Sequence, residues 1–306
     1  MNLENVKKIF MQRCISIRVT ETTLKGYEEF FVRLYRFLGE QQIADFEAID
    51  EIVIRQYLIE LSQTMISVTL DGHYRKLNTL FRFLVENEYL SKNPMKLVTR
   101  PKVSQRRMKT FGSDEVFKML HSFDTNDFIG YRNYTILSLL LSTGLRRSEY
   151  LNLTLLDVDL NTGLIHVIGK GDKERFVPIG NTLRRILKTY LKKRNEYLVE
   201  VCQGHTCPSL FITKQGERMT ISASDSIFQE VKKNLKLTGC KFSTHTWRHT
   251  FAKTFLLNGG DVFTLQKILG HSDIATTRIY VNLNDNEIKQ QNNKYNPLDN
   301  SKWQYY

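Results

Sequence analysis

The chain has 306 residues, 41% of them hydrophobic and 25% charged, and a formal charge of +12. That composition suits a globular protein with room for one large domain or two modest ones. No apolar run approaches the roughly 18 residues of a membrane span, and Met1 is followed by no signal-peptide pattern, so the expected location is the cytoplasm, with no membrane partner.

The charge is unevenly spread. Residues 1–100 carry 14 Lys and Arg against 13 Asp and Glu, while the remainder carries 30 against 19. A basic excess of this size points to a polyanion as partner. The four cysteines (Cys14, Cys202, Cys207 and Cys240) form no disulfide framework and no C-x-x-C pair. Cys202, His205 and Cys207 lack a matching second half and read as a surface loop rather than a metal site.

Residues 1 to about 97 read as helices throughout. One begins near Thr22, with Leu24, Tyr27, Phe31, Leu34 and Leu38 at helical spacing. A second is predicted over about 49–61. A third, over about 67–87, carries Arg75, Lys76 and Arg82 beside Leu77, Leu80, Phe81 and Leu84. Asn93-Pro94 ends this region, because the residue before proline is pushed out of the helical basin. Residues 98–110 lack apolar periodicity and hold Arg100, Lys102, Arg106, Arg107 and Lys109, so they read as a basic linker.

Ser113 or Asp114 is expected to cap the next helix, and an apolar helix over 134–141 leads into S-T-G-L-R-R-S-E-Y-L-N-L. There Gly144 makes a turn, Arg146 and Glu149 lie three apart on the following helix, and Leu151 and Leu153 point inward. Two β-prone runs then flank G-K-G-D as a tight hairpin. The G-x-x-x-x-G-K-[S/T] spacing of a P-loop is missing. Residues 181–200 form a basic helix whose charges are expected mainly to solvate its outer face. Another helix follows over about 224–235.

The stretch from Phe242 to Tyr280 has the richest chemistry. Ser243 and Thr244 are good N-caps and Gly259-Gly260 a good stop, which predicts a helix over 245–258. His245 and Arg248 share one of its faces, while Trp247, Phe251 and Phe255 form an apolar stripe. Asp261 is expected to cap a second helix ending at Gly270, and Ser272 a third that carries Tyr280. Residues 285–306 are polar but end with Tyr295, Leu298, Trp303, Tyr305 and Tyr306, a composition that suggests docking.

H-x-x-R, then L-G-H, then a tyrosine, preceded by G-L-R-R-S-E-Y and a G-K-G hairpin, resembles the tyrosine recombinase (phage integrase) family, in its simple two-domain form, over nearly the whole chain. Tyr150 stands where the arginine box of that family has leucine. The resemblance implies a mostly α fold with a small β-sheet (α+β). It divides the chain into a helical core-binding domain over 1–100, a linker over 101–110, a catalytic domain over 111–284 and a tail over 285–306. Its implied activity is site-specific DNA recombination.

Tyr280 is then the nucleophile. With an ordinary pKa of about 10, it needs help to lose its proton. Arg146 and Arg248 become the clamps on the phosphate oxygens, each with parallel donors and a permanent charge. His271 is a further donor, and Glu149 supports the site. His245 either takes the phenolic proton or holds the phosphate. Lys170 is the general acid for the departing 5′ oxygen, with Lys173 as competitor. The phosphotyrosyl bond keeps the energy of the broken phosphodiester, so ATP, metal and cofactor are not expected.

The implied partner is double-stranded DNA carrying specific sites, bound by a homotetramer that dissociates to monomers in free solution. Arg75, Lys76, Arg82, Arg106, Arg107 and Lys109 are candidate DNA contacts. Two alternatives share parts of this pattern: a type IB topoisomerase, and a non-catalytic DNA-binding protein on the same fold. Two-domain size and a docking tail favour the recombinase.

Overall fold

The computed structural model describes residues 2–103, 109–169, 171–236, 242–278, 280 and 287. Lys170, Arg106, Arg107 and the aromatic end of the tail lie outside the described residues. The chain divides into two compact units, 1–107 and 108–306. Among the described residues 63% are helical and one small three-stranded antiparallel sheet is present, as expected of the α+β class.

The first unit contains α1 (Leu3–Ser16), α2 (Glu21–Glu40), α3 (Glu51–Thr64) and α4 (Ser67–Glu86). Asn2 caps α1 by accepting from the Asn5 amide, and Asp50 caps α3 by accepting from Ile52 and Val53. Aromatic residues dominate the core. Phe10, Phe30, Phe31, Phe46 and Phe81 are fully buried, and Phe10 meets Phe83 nearly edge-on at 5.5 Å.

The second unit contains α5 (Ser113–Leu120), α6 (Phe128–Thr143), α7 (Arg147–Asn152), β1 (Val158–Asp159), β2 (Leu164–Ile168), β3 (Glu174–Pro178) and α8 (Asn181–Glu200). After these come α9 (Ile221–Asn234), α10 (Thr244–Leu257), α11 (Val262–Leu269) and α12 (Ala275–Arg278). α6 is the central helix, packed against α8 and α10. Ile136, Leu137, Leu139 and Leu140 are all fully buried, and Asn133, Thr135 and Ser138 are buried between them, so the helix is enclosed on every side. The strands run in the order β1-β2-β3, with Val167 opposite Arg175 and Ile168 opposite Glu174.

Three local expectations are corrected. Gly112, not Ser113 or Asp114, is the N-cap of α5, and the Glu115 carboxylate accepts from its amide at 2.8 Å. α12 is only four residues long, so Tyr280 stands beyond its end, in a turn closed by Tyr280 N–H on the Thr277 carbonyl at 3.0 Å. Arg194, counted with the solvated charges of the basic helix, is almost fully buried. Its guanidinium donates to the carbonyls of Cys207, Ser209 and Leu210, so its charge is hydrogen-bonded inside the unit rather than hydrated.

Candidate active site

The site begins where α6 stops. Gly144 ends that helix at φ +61°, a left-handed conformation, and a side chain there would collide with the Phe251 ring. The glycine therefore lets α6 and α10 touch while the chain turns into α7. Arg146 is the N-cap of α7, and its backbone N–H donates to Glu149 Oε2 at 2.7 Å. The Arg146 guanidinium donates to Glu149 Oε1 at 2.8 Å, and its side chain stays about one-third exposed (32%).

Glu149 is shared by two guanidiniums. Arg175 on β3 donates to Oε1 at 3.0 Å and to Oε2 at 2.9 Å, and its Nε donates to the Ile268 carbonyl at 2.8 Å. Burial by itself would raise the carboxyl pKa. The Arg175 hydrogen bonds, the Arg146 amide and both positive charges outweigh burial and hold it at about 2. Glu149 is thus a fixed anion that ties α7 to the hairpin and to the end of α11.

Arg248 lies deep on α10. It donates to the carbonyls of Gly144 and Leu269, each at 2.7 Å, and to His271 Nε2 at 2.8 Å. The face that it shares with His245 is therefore split by depth, because Arg248 is buried and His245 exposed. Burial, and then the charge of Arg146, lower the Arg248 pKa to about 10, so it remains a cation at neutral pH.

Guanidinium offers only donors, so His271 Nε2 is the acceptor in that bond. Its Nδ1–H donates to Thr277 Oγ1 at 2.8 Å. Burial and the charges of Arg248, Arg146 and Arg175 depress the His271 pKa to about 4. The ring is neutral, with its proton on Nδ1. To donate to a phosphate oxygen from Nε2, it must move that proton and release Arg248.

Tyr280 is buried, and its ring lies nearly parallel to His271 at 6.3 Å. Its hydroxyl is 3.0 Å from His249 Nδ1. Burial raises the phenol pKa, while Arg248 and Arg146 oppose the rise.

Arg146 and His271 line a concave pocket of about 640 Å³ together with Lys173, Arg175, Lys267 and Thr276. Gly169 and Gly171, the neighbours of position 170, line the same pocket. Four cations against the one carboxylate of Glu174 leave it cationic, which suits a phosphodiester. Lys170 itself lies outside the described residues.

Of the sequence-predicted set, Arg146, Glu149, Arg248, His271 and Tyr280 come together. His245 sits on the exposed side of α10, close enough for its charge to act on His249. In the first unit, Arg75 pairs with Asp71 at 3.1 Å and Arg82 with Glu86 at 3.5 Å. Lys76 donates to the Gly26 carbonyl at 2.6 Å, and Lys109 is exposed.

Sequence reading missed Arg175 and His249. Arg175 shares a strand face with buried Val177, two residues on, and that alternation was a usable signal. His249 lies one helical turn from His245.

The sequence profile of the phage integrase family matches residues 109–287. Tyrosine recombinase XerD of Staphylococcus aureus is 31% identical over 284 residues, spanning 91% of this chain and 94% of the relative. The XerD of Staphylococcus saprophyticus is 32% identical over 282 residues, with the same coverage of 91% and 94%. Two solved structures share the fold. One is the site-specific recombinase XerH on a palindromic difH substrate, post-cleavage, with a TM-score of 0.73 and 22% identity over 90% of this chain and 80% of that one. The other is the Tn1549 transposon integrase with transposon right-end DNA, with a TM-score of 0.76 and 18% identity over 97% and 100%. With its profile match and its 31% identity to XerD over nearly its full length, the chain belongs to the phage integrase family, the tyrosine recombinases.

Proposed function

We propose that the chain is a site-specific DNA recombinase that cuts and rejoins duplex DNA through a 3′-phosphotyrosyl link at Tyr280. The observation that carries this reading is the meeting of one buried phenol with Arg248 and His271 beside a cationic pocket that Arg146 and His271 line. A tyrosine among two guanidiniums has the parts for in-line attack on a phosphodiester. One group attacks, and fixed positive donors stabilise the charge that grows on the non-bridging oxygens.

Arg146 and Arg248 clamp those oxygens, and His271 donates to them once its proton is on Nε2. Glu149 orients Arg146. Lys170 protonates the departing 5′ oxygen, and Lys173, which lines the pocket, is its competitor. Rejoining reverses the step with a 5′ hydroxyl from a second duplex, so no ATP is consumed.

The unit over residues 1–107 is the helical DNA-binding partner of the catalytic unit, with Arg75, Lys76 and Arg82 as its contacts. Residues 106, 107 and 109 add phosphate contacts from the linker. The active assembly is a homotetramer on paired sites, formed from monomers in the prokaryotic cytoplasm. Its support is an apolar pocket of about 460 Å³, lined by Phe111, Val116, Phe117, Leu141, Phe251 and Phe255, which matches an aromatic tail in chemistry. A topoisomerase acting alone would have no use for such a socket and tail.

The test begins with a duplex selected from a randomised pool by binding to the protein. Nicked so that the short 5′ fragment diffuses away, it traps a covalent protein–DNA adduct. Absence of an adduct on every bound sequence overturns the reading.

A further inference from the structure

The contact between His249 and Tyr280 has no place in the mechanism above. We propose that His249 is the proton acceptor for Tyr280, the group that takes the phenolic hydrogen during attack on phosphorus. This rests on the recombinase reading.

Three observations carry it. First, His249 Nδ1 is 3.0 Å from the Tyr280 hydroxyl, within direct transfer distance. Second, the His249 and Tyr280 rings lie 5.4 Å apart, which keeps the phenol hydroxyl at the edge of the imidazole. Third, His249 follows Arg248 directly on α10, so one rigid helix sets both the clamp and the acceptor.

His249 is half-buried, and burial, with the charges of His245 and Arg248, lowers its pKa to about 4. The free ring is therefore neutral at pH 7, with Nδ1 available as an acceptor when the proton sits on Nε2. A scissile phosphate docked on Arg146 and Arg248 brings negative charge beside the ring and favours its protonation.

The step balances. As the Tyr280 oxygen bonds to phosphorus, its proton passes to His249 Nδ1. The bond from phosphorus to the 5′ oxygen breaks, and that oxygen takes a proton from the acid assigned to Lys170. On rejoining, His249 returns its proton to the departing phenol oxygen. His245 is then left to hold the phosphate.

The test uses the full-length protein and the selected nicked duplex. His249→Asn keeps a hydrogen-bond acceptor near the Nδ1 position but cannot take a proton. It should form adduct about 10²- to 10⁴-fold more slowly, the usual contribution of a general base. Replacing residue 280 with 3,5-difluorotyrosine, a more acidic phenol, should restore at least about tenfold of that rate, because a more acidic nucleophile leans less on its base. The same replacement should not rescue His245→Asn.

Each rate is read at saturating DNA and below the melting temperature of the variant. Should His249→Asn fail to fold, His249→Gln takes its place. A variant at the wild-type rate, or faster, overturns the inference; the faster result would mean that His249 only parks the tyrosine. Slow cleavage without rescue by the acidic phenol also overturns it, leaving His249 a positioning residue. No adduct even from wild type would instead sink the recombinase reading.

Discussion

Both carboxylate oxygens of Glu149 are taken by the two terminal nitrogens of Arg175, at 3.0 and 2.9 Å. This fork joins α7, which follows Arg146, to the strand that leaves the G-K-G loop. The Nε of Arg175 reaches the Ile268 carbonyl two residues before Gly270. Gly270 is left-handed at φ +63°, and a Cβ there would lie 2.9 Å from Arg175 Cδ, so the arginine and the turn before His271 fit only together. Arg146, the hairpin and His271 are thus positioned by one ion pair.

That pair sets a dependence on pH. The Glu149 carboxyl lies near 2 when folded, against 4.5 for a free glutamate. A depressed carboxylate contributes stability that is full above the unfolded value and lost as pH falls toward the folded one. The contribution at neutral pH is on the order of 3 kcal/mol. Thermal melts of Glu149→Gln between pH 7 and pH 2.5 should show a lower melting point at pH 7 and a smaller fall below pH 4.5 than wild type. Parallel curves would contradict this.

Arg175→Lys retains a positive charge but cannot span two oxygens and a carbonyl. It should slow adduct formation by about 100-fold, the scale of a misplacement near 1 Å. Binding of the duplex should fall much less, because Arg146, Lys173 and Lys267 still line the pocket. Single-turnover cleavage beside a binding titration separates the two effects. Equal loss in both would make Arg175 a simple phosphate contact.

Much of this was legible from spacing. H-x-x-R fixes the helical face that carries Arg248, and L-G-H fixes the glycine turn that presents His271, because local periodicity and turn chemistry survive folding. What escaped depends on distant backbone. Arg194 and Arg248 carry the same charge as solvated arginines, but carbonyls of remote segments absorb their donors. α6 extends further toward its N-terminus than its apolar run because Arg132 there is buried on the Ile212 carbonyl and the Asn133 side chain. Tyr280 lies past α12 because the helix stops after one turn, which no cap or breaker in the sequence announces.

The basic linker gives a salt-dependence test. Replacing Arg106 and Arg107 with Ala should weaken binding to all duplexes alike. The slope of log affinity against log salt should become shallower by roughly 1 to 2. Titrations at four salt concentrations read the slope, and an unchanged one would leave both side chains in solvent.

Truncation after residue 284 should leave binding to a single site largely intact and impair tetramer assembly. It removes the aromatic tail and also the ion pair between Lys253 and Glu287 at 2.5 Å. Phe117→Ser, an exposed change in the wall of the apolar pocket, should impair assembly in the same way without lowering the melting point. Analytical ultracentrifugation on paired sites checks both. Normal assembly by the truncated chain would make the tail a passive appendage.

The central claim is covalent attack by Tyr280, and trapping on the nicked duplex tests it most directly. Tyr280→Phe removes one oxygen and keeps the ring, so it should fold, bind DNA and form no adduct. Lys170→Ala should also fail on ordinary DNA. A 5′-phosphorothiolate needs no proton on its leaving group, so it should rescue Lys170→Ala and leave Tyr280→Phe inactive. Wild type should form its adduct in EDTA, and peptide mapping should find the DNA on Tyr280. An adduct from Tyr280→Phe, or DNA mapped to another residue, would contradict the account.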